Sequence, residues 1–273
     1  MDLAVLYPVA GMSSRFGGRM KWLIKVGPMG ESLIEYSVNQ ALSAGFNKII
    51  FIVSEQTEPY FKEIFGESYN GAKVYYAFQE FDKVARDCPW GTVDALCSGL
   101  SLIDCPTVFC NGDDIYGEDT FRIIAEHFRN GGLEDVAVGY KLLNVLPDEG
   151  RVNRGCFKFE DNYVKDLQEI FNVEKGNLAE KGLNEDSLIS MNIFGFMPET
   201  VKKLNERLVE FKEENKDSRD AECLLPNEVG GLVKGGLRMK VYPTPCKWHG
   251  VTNLEDEHVV RAVLVKERKL ERY

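Results

Sequence analysis

The chain has 273 residues, 44% of them hydrophobic and 28% charged, which is enough for one large α/β domain or two small ones around a real core. Its net charge of -10 excludes nucleic acid as the main partner, because phosphate backbones are held by a surplus of Lys and Arg. No apolar run reaches the roughly 18 residues of a membrane span, Met1 to Tyr7 carries no export signal, and the seven cysteines lack C-x-x-C or zinc spacing, so a soluble cytoplasmic chain with idle thiols is expected.

Apolar, β-rich runs predict strands at Leu3–Tyr7, Lys48–Val53, Lys73–Phe78, Thr107–Cys110 and Asp135–Tyr140. Helical patterns separate them. Ser32 and Glu35 have capping-box spacing, Ile34, Val38, Ala41 and Leu42 share one face, and Gly45 closes that helix. Val93, Leu96, Cys97 and Leu100 mark a second helix, with Thr92 as its expected N-cap, and a third runs from about Glu118 to Arg129, stopped by Gly131 and Gly132. Strands alternating with helices predict a mostly parallel sheet covered on both faces.

Beyond Gly150 the character changes. Cys156–Glu160 and Tyr163–Leu167 flank Asp161-Asn162, a hairpin-turn pair, and Leu188–Phe196 reads as another strand, so this half is expected to be mixed. The charged segment Glu199–Glu222, with Val201, Leu204, Leu208 and Phe211 at helical spacing, predicts an amphipathic surface helix. A last helix is expected from Glu255 to Tyr273, its apolar side formed by Val259, Ala262, Val263 and Val265 and packed on its own domain or on a second subunit. No repeat or Pro/Ser-rich linker divides the chain, which favours one continuous domain.

Three stretches carry chemistry. The first strand is followed by Ala10-Gly11-Met12-Ser13-Ser14-Arg15-Phe16-Gly17-Gly18 and then Lys21, a small-residue loop placed where open α/β sheets bind ligands and flanked by fixed positive charge. It is neither a Walker A loop nor the G-x-G-x-x-G dinucleotide fingerprint, which argues against P-loop ATPase and hydride-transfer chemistry. Asn111-Gly112-Asp113-Asp114 follows the fourth strand; its carboxylates suit Mg²⁺ bridging phosphates, or else they cap the helix near Glu118. Pro89-Trp90-Gly91-Thr92 opens the second helix, where free N–H groups suit the edge of a base, although capping alone would also explain it.

Taken in order, these stretches resemble the sugar nucleotidyltransferase family, which includes glucose-1-phosphate uridylyl- and thymidylyltransferases. The match begins at the Ala10–Gly18 loop with Lys21, similar to that family's A-G-x-G-x-R loop and signature lysine. It continues through Val26–Ser37, Trp90-Gly91-Thr92, Asn111–Asp114, Ser190-Met191-Asn192 with Gly195-Phe196, and Trp248-His249-Gly250-Val251-Thr252. The resemblance implies a Rossmann-like, three-layer fold of the nucleotide-diphospho-sugar transferase type, with a mostly parallel mixed sheet. It implies a single domain, residues 1–140 holding the nucleotide and 141–273 the acceptor. It further implies Mg²⁺ as cofactor and an NTP, with pyrimidines favoured, and a sugar 1-phosphate as partners.

By the same resemblance Ala10, Gly11, Met12 and Ser13 hold the nucleotide, Arg15 and Lys21 contact its phosphates, and Gln79, Gly91 and Thr92 meet the base. Asp113 holds Mg²⁺, with Asn253 or, less directly, Asp256 as second ligand. Asp114, Gly155, Glu169 and Asn192 line the acceptor pocket. Ser13 stands where glycine is usual, and there is extra length before Lys21. The rival readings are a cytidylyltransferase acting on phosphocholine or another alcohol phosphate, a non-catalytic nucleotide-sugar sensor, and a metal-dependent glycosyltransferase, whose D-x-D pattern Asp113-Asp114 does not match.

Overall fold

A computed structural model of the chain describes residues 1–11, 20–147, 150–251 and 256–270. Its first half is built from β1 (Ala4–Pro8), α1 (Leu33–Ser43), β2 (Lys48–Val53), α2 (Glu58–Phe65), β3 (Ser68–Tyr69), β4 (Ala72–Phe78), α3 (Thr92–Ser98), β5 (Thr107–Phe109), β6 (Asp114–Ile115), α4 (Glu118–Arg129) and β7 (Asp135–Lys141). The second half adds β8 (Val152–Glu160), β9 (Tyr163–Val173), β10 (Leu188–Phe196), α5 (Pro198–Glu214), α6 (Leu225–Lys234), β11 (Met239–Thr244), β12 (His249–Gly250) and α7 (Asp256–Leu270). All seven cysteines are free, and among the described residues no helix is long and apolar enough to cross a membrane.

Ten strands form one sheet in the order β3-β4-β2-β1-β5-β10-β7-β11-β9-β8. The expected mostly parallel sheet is corrected here. β4, β2, β1 and β5 run parallel, as does the pair β7–β11, but six further pairings in this sheet are antiparallel, against these four parallel ones. The parallel block follows from helical crossovers between its strands; the antiparallel part follows from the β8–β9 hairpin and from β10 entering between β5 and β7.

Apolar side chains alternate to the two faces of the central strands and make two cores. Val5, Tyr7, Phe51 and Val53 meet Ile34, Val38, Phe61 and Phe121 from α1, α2 and α4 on one face. Ala4, Leu6, Ile50 and Ile52 meet Val93, Leu96, Val201, Leu204 and Val229 from α3, α5 and α6 on the other. Burying a Leu, Ile, Val or Phe side chain contributes about 1.5–3 kcal/mol, so these layers hold the carboxyl ends of β1, β4 and β5 in place.

The local signals account for most elements. Ser32 Oγ accepts the Glu35 N–H at 3.3 Å while Glu35 Oε2 accepts the Ser32 N–H at 2.8 Å, so the capping box is complete. Asp161 and Asn162 both sit at positive φ, 51° and 64°, as a two-residue hairpin turn with right-handed twist requires. Three expectations need correction. Gly91, at φ 93°, is the residue before α3, and Thr92 is its first residue; instead of capping α3, Thr92 Oγ1 accepts the Leu225 N–H at 2.8 Å. The charged helix ends at Glu214 because the chain beyond it pairs with another loop: Cys223 N–H donates to Trp90 O, and Arg219 bonds Asp87. Finally, α7 buries Val260 and Leu264 against Ile24, Val26, Leu33 and Ile115, whereas Val259 and Ala262 are exposed. The helix therefore packs on its own chain through a face one residue away from the expected one.

Candidate functional site

The carboxyl ends of β1 and β5 bring two distant residues together. Lys21 begins a short 3₁₀ turn, Lys21–Leu23, pinned by buried Trp22, and its Nζ lies 2.6 Å from Oδ2 of Asp113. The lysine side chain is 14% exposed and the aspartate 35%, so the pair is partly open to solvent and not inside the core. No described group bonds Oδ1 of Asp113, which leaves one hard, anionic oxygen available. Among the described residues no cluster of three or more metal-type side chains occurs. A carboxylate oxygen of this kind suits Mg²⁺, a hard cation that takes oxygen ligands. Ala10 and Gly11 follow β1, and a Cβ on Gly11 would meet no atom of the described residues within 4 Å. Met12, Ser13, Arg15 and Asn253 lie outside the described residues, as does the side chain of Asp256.

Asp114 points the other way, into the protein. Its Oδ2 accepts from Asn111 Nδ2 at 2.9 Å and from the Tyr116 hydroxyl at 3.3 Å, and β6 pairs with β12 so that Gly250 faces it. Burial, and after it the adjacent charge of Asp113, pushes the Asp114 carboxyl up to about 7. Neither aspartate caps α4, whose preceding residue is Gly117 at φ 85° with no side-chain cap.

Gln79, at the end of β4, donates from Nε2 to Asp94 Oδ2 at 2.8 Å and to Gly91 O at 3.4 Å. Asp94 is buried and also accepts from Lys212 Nζ at 2.5 Å. The amide of Gln79 is therefore oriented by an acceptor-only carboxylate, with its Oε1 turned away from that contact. Gly91 is the residue its place demands: a Cβ there would lie 2.7 Å from Cys223 O and 2.9 Å from Cys223 N. The loop that carries Gly91 is fastened by Arg86, whose guanidinium stacks on Trp90 at 3.3 Å and donates to Ser218 O and Ala221 O.

Asp114, Gly155, Glu169 and Asn192 line one cavity of about 340 Å³, together with Thr92 and Asn111. Gly155 and Glu169 are register partners on β8 and β9, and a Cβ on Gly155 would sit 3.6 Å from Glu169 Oε2, within the cavity floor. Burial raises the Glu169 carboxyl above its ordinary value against the opposing pull of Arg154. Asn192 adopts φ 58° where the β10–β7 register slips between Ser190 and Phe194, a bulge that turns its side chain out of the ladder. Reading the sequence missed Arg154 and Lys212. Arg154 lines this cavity one residue before Gly155, and Lys212 lies on a helix whose charges read as a solvated face. No local signal distinguishes either residue from its neighbours.

Several solved structures share this fold. A putative glucose-1-phosphate thymidylyltransferase from Bacillus anthracis, in complex with sucrose, superposes with a TM-score of 0.70 at 15% identity, over 96% of this chain and 95% of that one. A UDP-glucose pyrophosphorylase complexed with UDP-glucose gives 0.68 at 16% identity, over 98% and 100%. The inositol-1-phosphate CTP transferase of T. maritima gives 0.66 at 13%, over 97% and 96%. No curated protein matches the chain in sequence. Residues 18–227, more than half of the chain and spanning Lys21, Asp113 and the cavity of Glu169 and Asn192, match the family described as nucleotidyl transferase, and the chain belongs to that family.

Proposed function

We propose that the protein is a magnesium-dependent, cytoplasmic sugar-1-phosphate nucleotidyltransferase, a single Rossmann-like, three-layer domain with residues 1–140 holding an NTP and 141–273 the acceptor. The observation that carries this reading is the 2.6 Å contact of Lys21 with Asp113 at the sheet edge, beside a cavity holding Glu169, Asn192 and Asp114. Family membership supports nucleotidyl transfer, and the thymidylyl, UDP-glucose and CTP named for the similar structures support a pyrimidine NTP as donor.

In the reaction, an oxygen of the acceptor's phosphate attacks the α-phosphorus. A new P–O bond forms on one side, the bond to the β-phosphate oxygen breaks on the other, and pyrophosphate leaves with the electron pair. The nucleophile is already anionic near neutral pH, so no general base is needed, and the task is to position two anions and stabilise charge. Lys21 and Arg15 take up charge on the departing pyrophosphate. Ala10, Gly11, Met12 and Ser13 hold the triphosphate, and Gln79, Gly91 and Thr92 contact the base. Asp113 and Asn253 would hold Mg²⁺, which when bound supplies positive charge to the α-phosphate. Glu169 and Asn192 bond the acceptor's hydroxyls over the floor left open by Gly155, beside Asp114.

Incubating the purified protein with Mg²⁺, the common NTPs and a mixture of sugar 1-phosphates, then identifying products by mass, tests the reading. A new nucleotide diphosphate sugar with matching pyrophosphate is expected. No product from any combination would refute it.

A further inference from the structure

The acceptor cavity holds a cation that the assignment above leaves without a role. Arg154 is half-buried, and its Nη1 and Nη2 donate to backbone carbonyls, Asn153 O at 3.0 Å and Val145 O at 2.7 Å. Those bonds fix the plane of the guanidinium, and the carboxylates of Glu169 and Asp114 act on its charge only from beyond salt-bridge distance. Its Nε is buried with no hydrogen-bond partner among the described residues, and no described carboxylate forms a salt bridge with it. A partly buried guanidinium with no salt-bridge partner keeps the capacity to pair with an anion that enters beside it. Two of the five guanidinium N–H groups are spent on carbonyls and the Nε one is buried, so one N–H on each of Nη1 and Nη2 remains, and such a pair matches two oxygens of a phosphate.

The surroundings indicate where an anion would sit. Arg154 lines the same cavity as Asp114, Glu169 and Trp248. Its charge and that of Glu169 act on each other across this cavity. Asp114 adjoins Asp113, so the Asp114 wall of the cavity is the side toward the Lys21–Asp113 pair. The guanidinium carbon stands 5.8 Å from the centre of the Trp248 ring, so the aromatic surface here already faces a cation.

We propose that Arg154 is the counter-ion for the phosphate of the acceptor, and that it makes the pocket selective for phosphate esters of neutral polyols over those of cationic alcohols. The inference rests on the transferase reading for the reaction that follows, but not for the binding itself. A quaternary ammonium group seeks an aromatic face and an uncompensated carboxylate. Here the Trp248 face is turned to a guanidinium, and Glu169 has Arg154 beside it.

Direct titration tests the idea without turnover. Glucose 1-phosphate is titrated calorimetrically into the intact wild-type protein and into Arg154→Met and Arg154→Lys, with phosphocholine as the second probe and thermal unfolding as the check on folding. Expected results are wild-type binding of glucose 1-phosphate over phosphocholine, a loss of roughly tenfold or more in Arg154→Met, and partial recovery in Arg154→Lys, on the scale for truncating one partner of a desolvated charge pair. In turnover assays the acceptor KM should rise while the NTP KM stays within about threefold, a split that general loosening of the fold would not give. Wild-type preference for phosphocholine, absence of glucose 1-phosphate binding, or unchanged affinity in a folded Arg154→Met overturns the proposal. Arg154-dependent binding with no NTP turning over would instead count against the transferase reading and leave the binding role of Arg154 supported.

Discussion

Replacing Lys21 by Met keeps the length and apolar stem of the side chain and removes only the ammonium group. At 2.6 Å, and with an effective dielectric of about 20, its attraction to Asp113 is roughly 6 kcal/mol gross. Most of that is offset by desolvating an ammonium whose side chain is only 14% exposed, and by ordering the two side chains. The net contribution to folding should be about 1 kcal/mol, as for other partly exposed pairs. The effect on turnover should be larger, because a cation that meets charge developing on pyrophosphate acts in the transition state; removing such a group costs about a hundredfold, or about 2.7 kcal/mol. Urea unfolding measures the first quantity and continuous pyrophosphate release with saturating substrates the second. A folded Lys21→Met that releases pyrophosphate within about threefold of wild type would refute the argument. So would a loss of activity no larger than the loss of stability predicts.

Other perturbations probe separate parts of the structure. Asp113→Asn should lower turnover by about a hundredfold and raise the Mg²⁺ concentration needed for half-maximal rate, measured by magnesium titration of pyrophosphate release, because it removes the anionic oxygen left open at Oδ1. Gly91→Ala should destabilise by about 3 kcal/mol or more, since φ 93° and a Cβ 2.7 Å from Cys223 O are both unfavourable; chemical denaturation reads this directly. Asp135 accepts from Met197 N at 2.7 Å and Thr200 Oγ1 at 2.7 Å, which secures the start of α5, and burial pushes its pKa up to about 6. With the folded pKa above the unfolded one, the native state binds the extra proton. This contribution is therefore fully present below about pH 4 and lost as pH rises through 6. Between pH 7 and pH 5, wild type should gain about 1 kcal/mol in unfolding free energy relative to Asp135→Asn, and equal slopes for the two proteins would contradict it.

Much of this protein was legible before its fold was known, because the relevant forces are local. The continuous apolar run of Lys48–Val53, the capping box of Ser32 and Glu35, and the turn at Asp161-Asn162 each depend on neighbours a few residues away, and each element appears where its pattern lies. The order of the loop before Lys21, the Asn111–Asp114 turn and the Ser190–Asn192 strand likewise placed the chain among nucleotidyl transferases. What local pattern did not decide depends on contacts between distant segments. The sheet became mixed because β10 enters between β5 and β7, and no property of residues 188–196 announces which edge that strand will join. Thr92 gave up its capping role because Leu225, 133 residues later, uses its hydroxyl. Arg154 carries no signal in the sequence, and Lys212 read as one more charge on a solvated helix. Only tertiary packing put the first in the cavity with Asp114 and Glu169 but without a salt bridge, and the second against Asp94, because burial and pairing are properties of what surrounds a side chain in space, which its sequence neighbours do not specify.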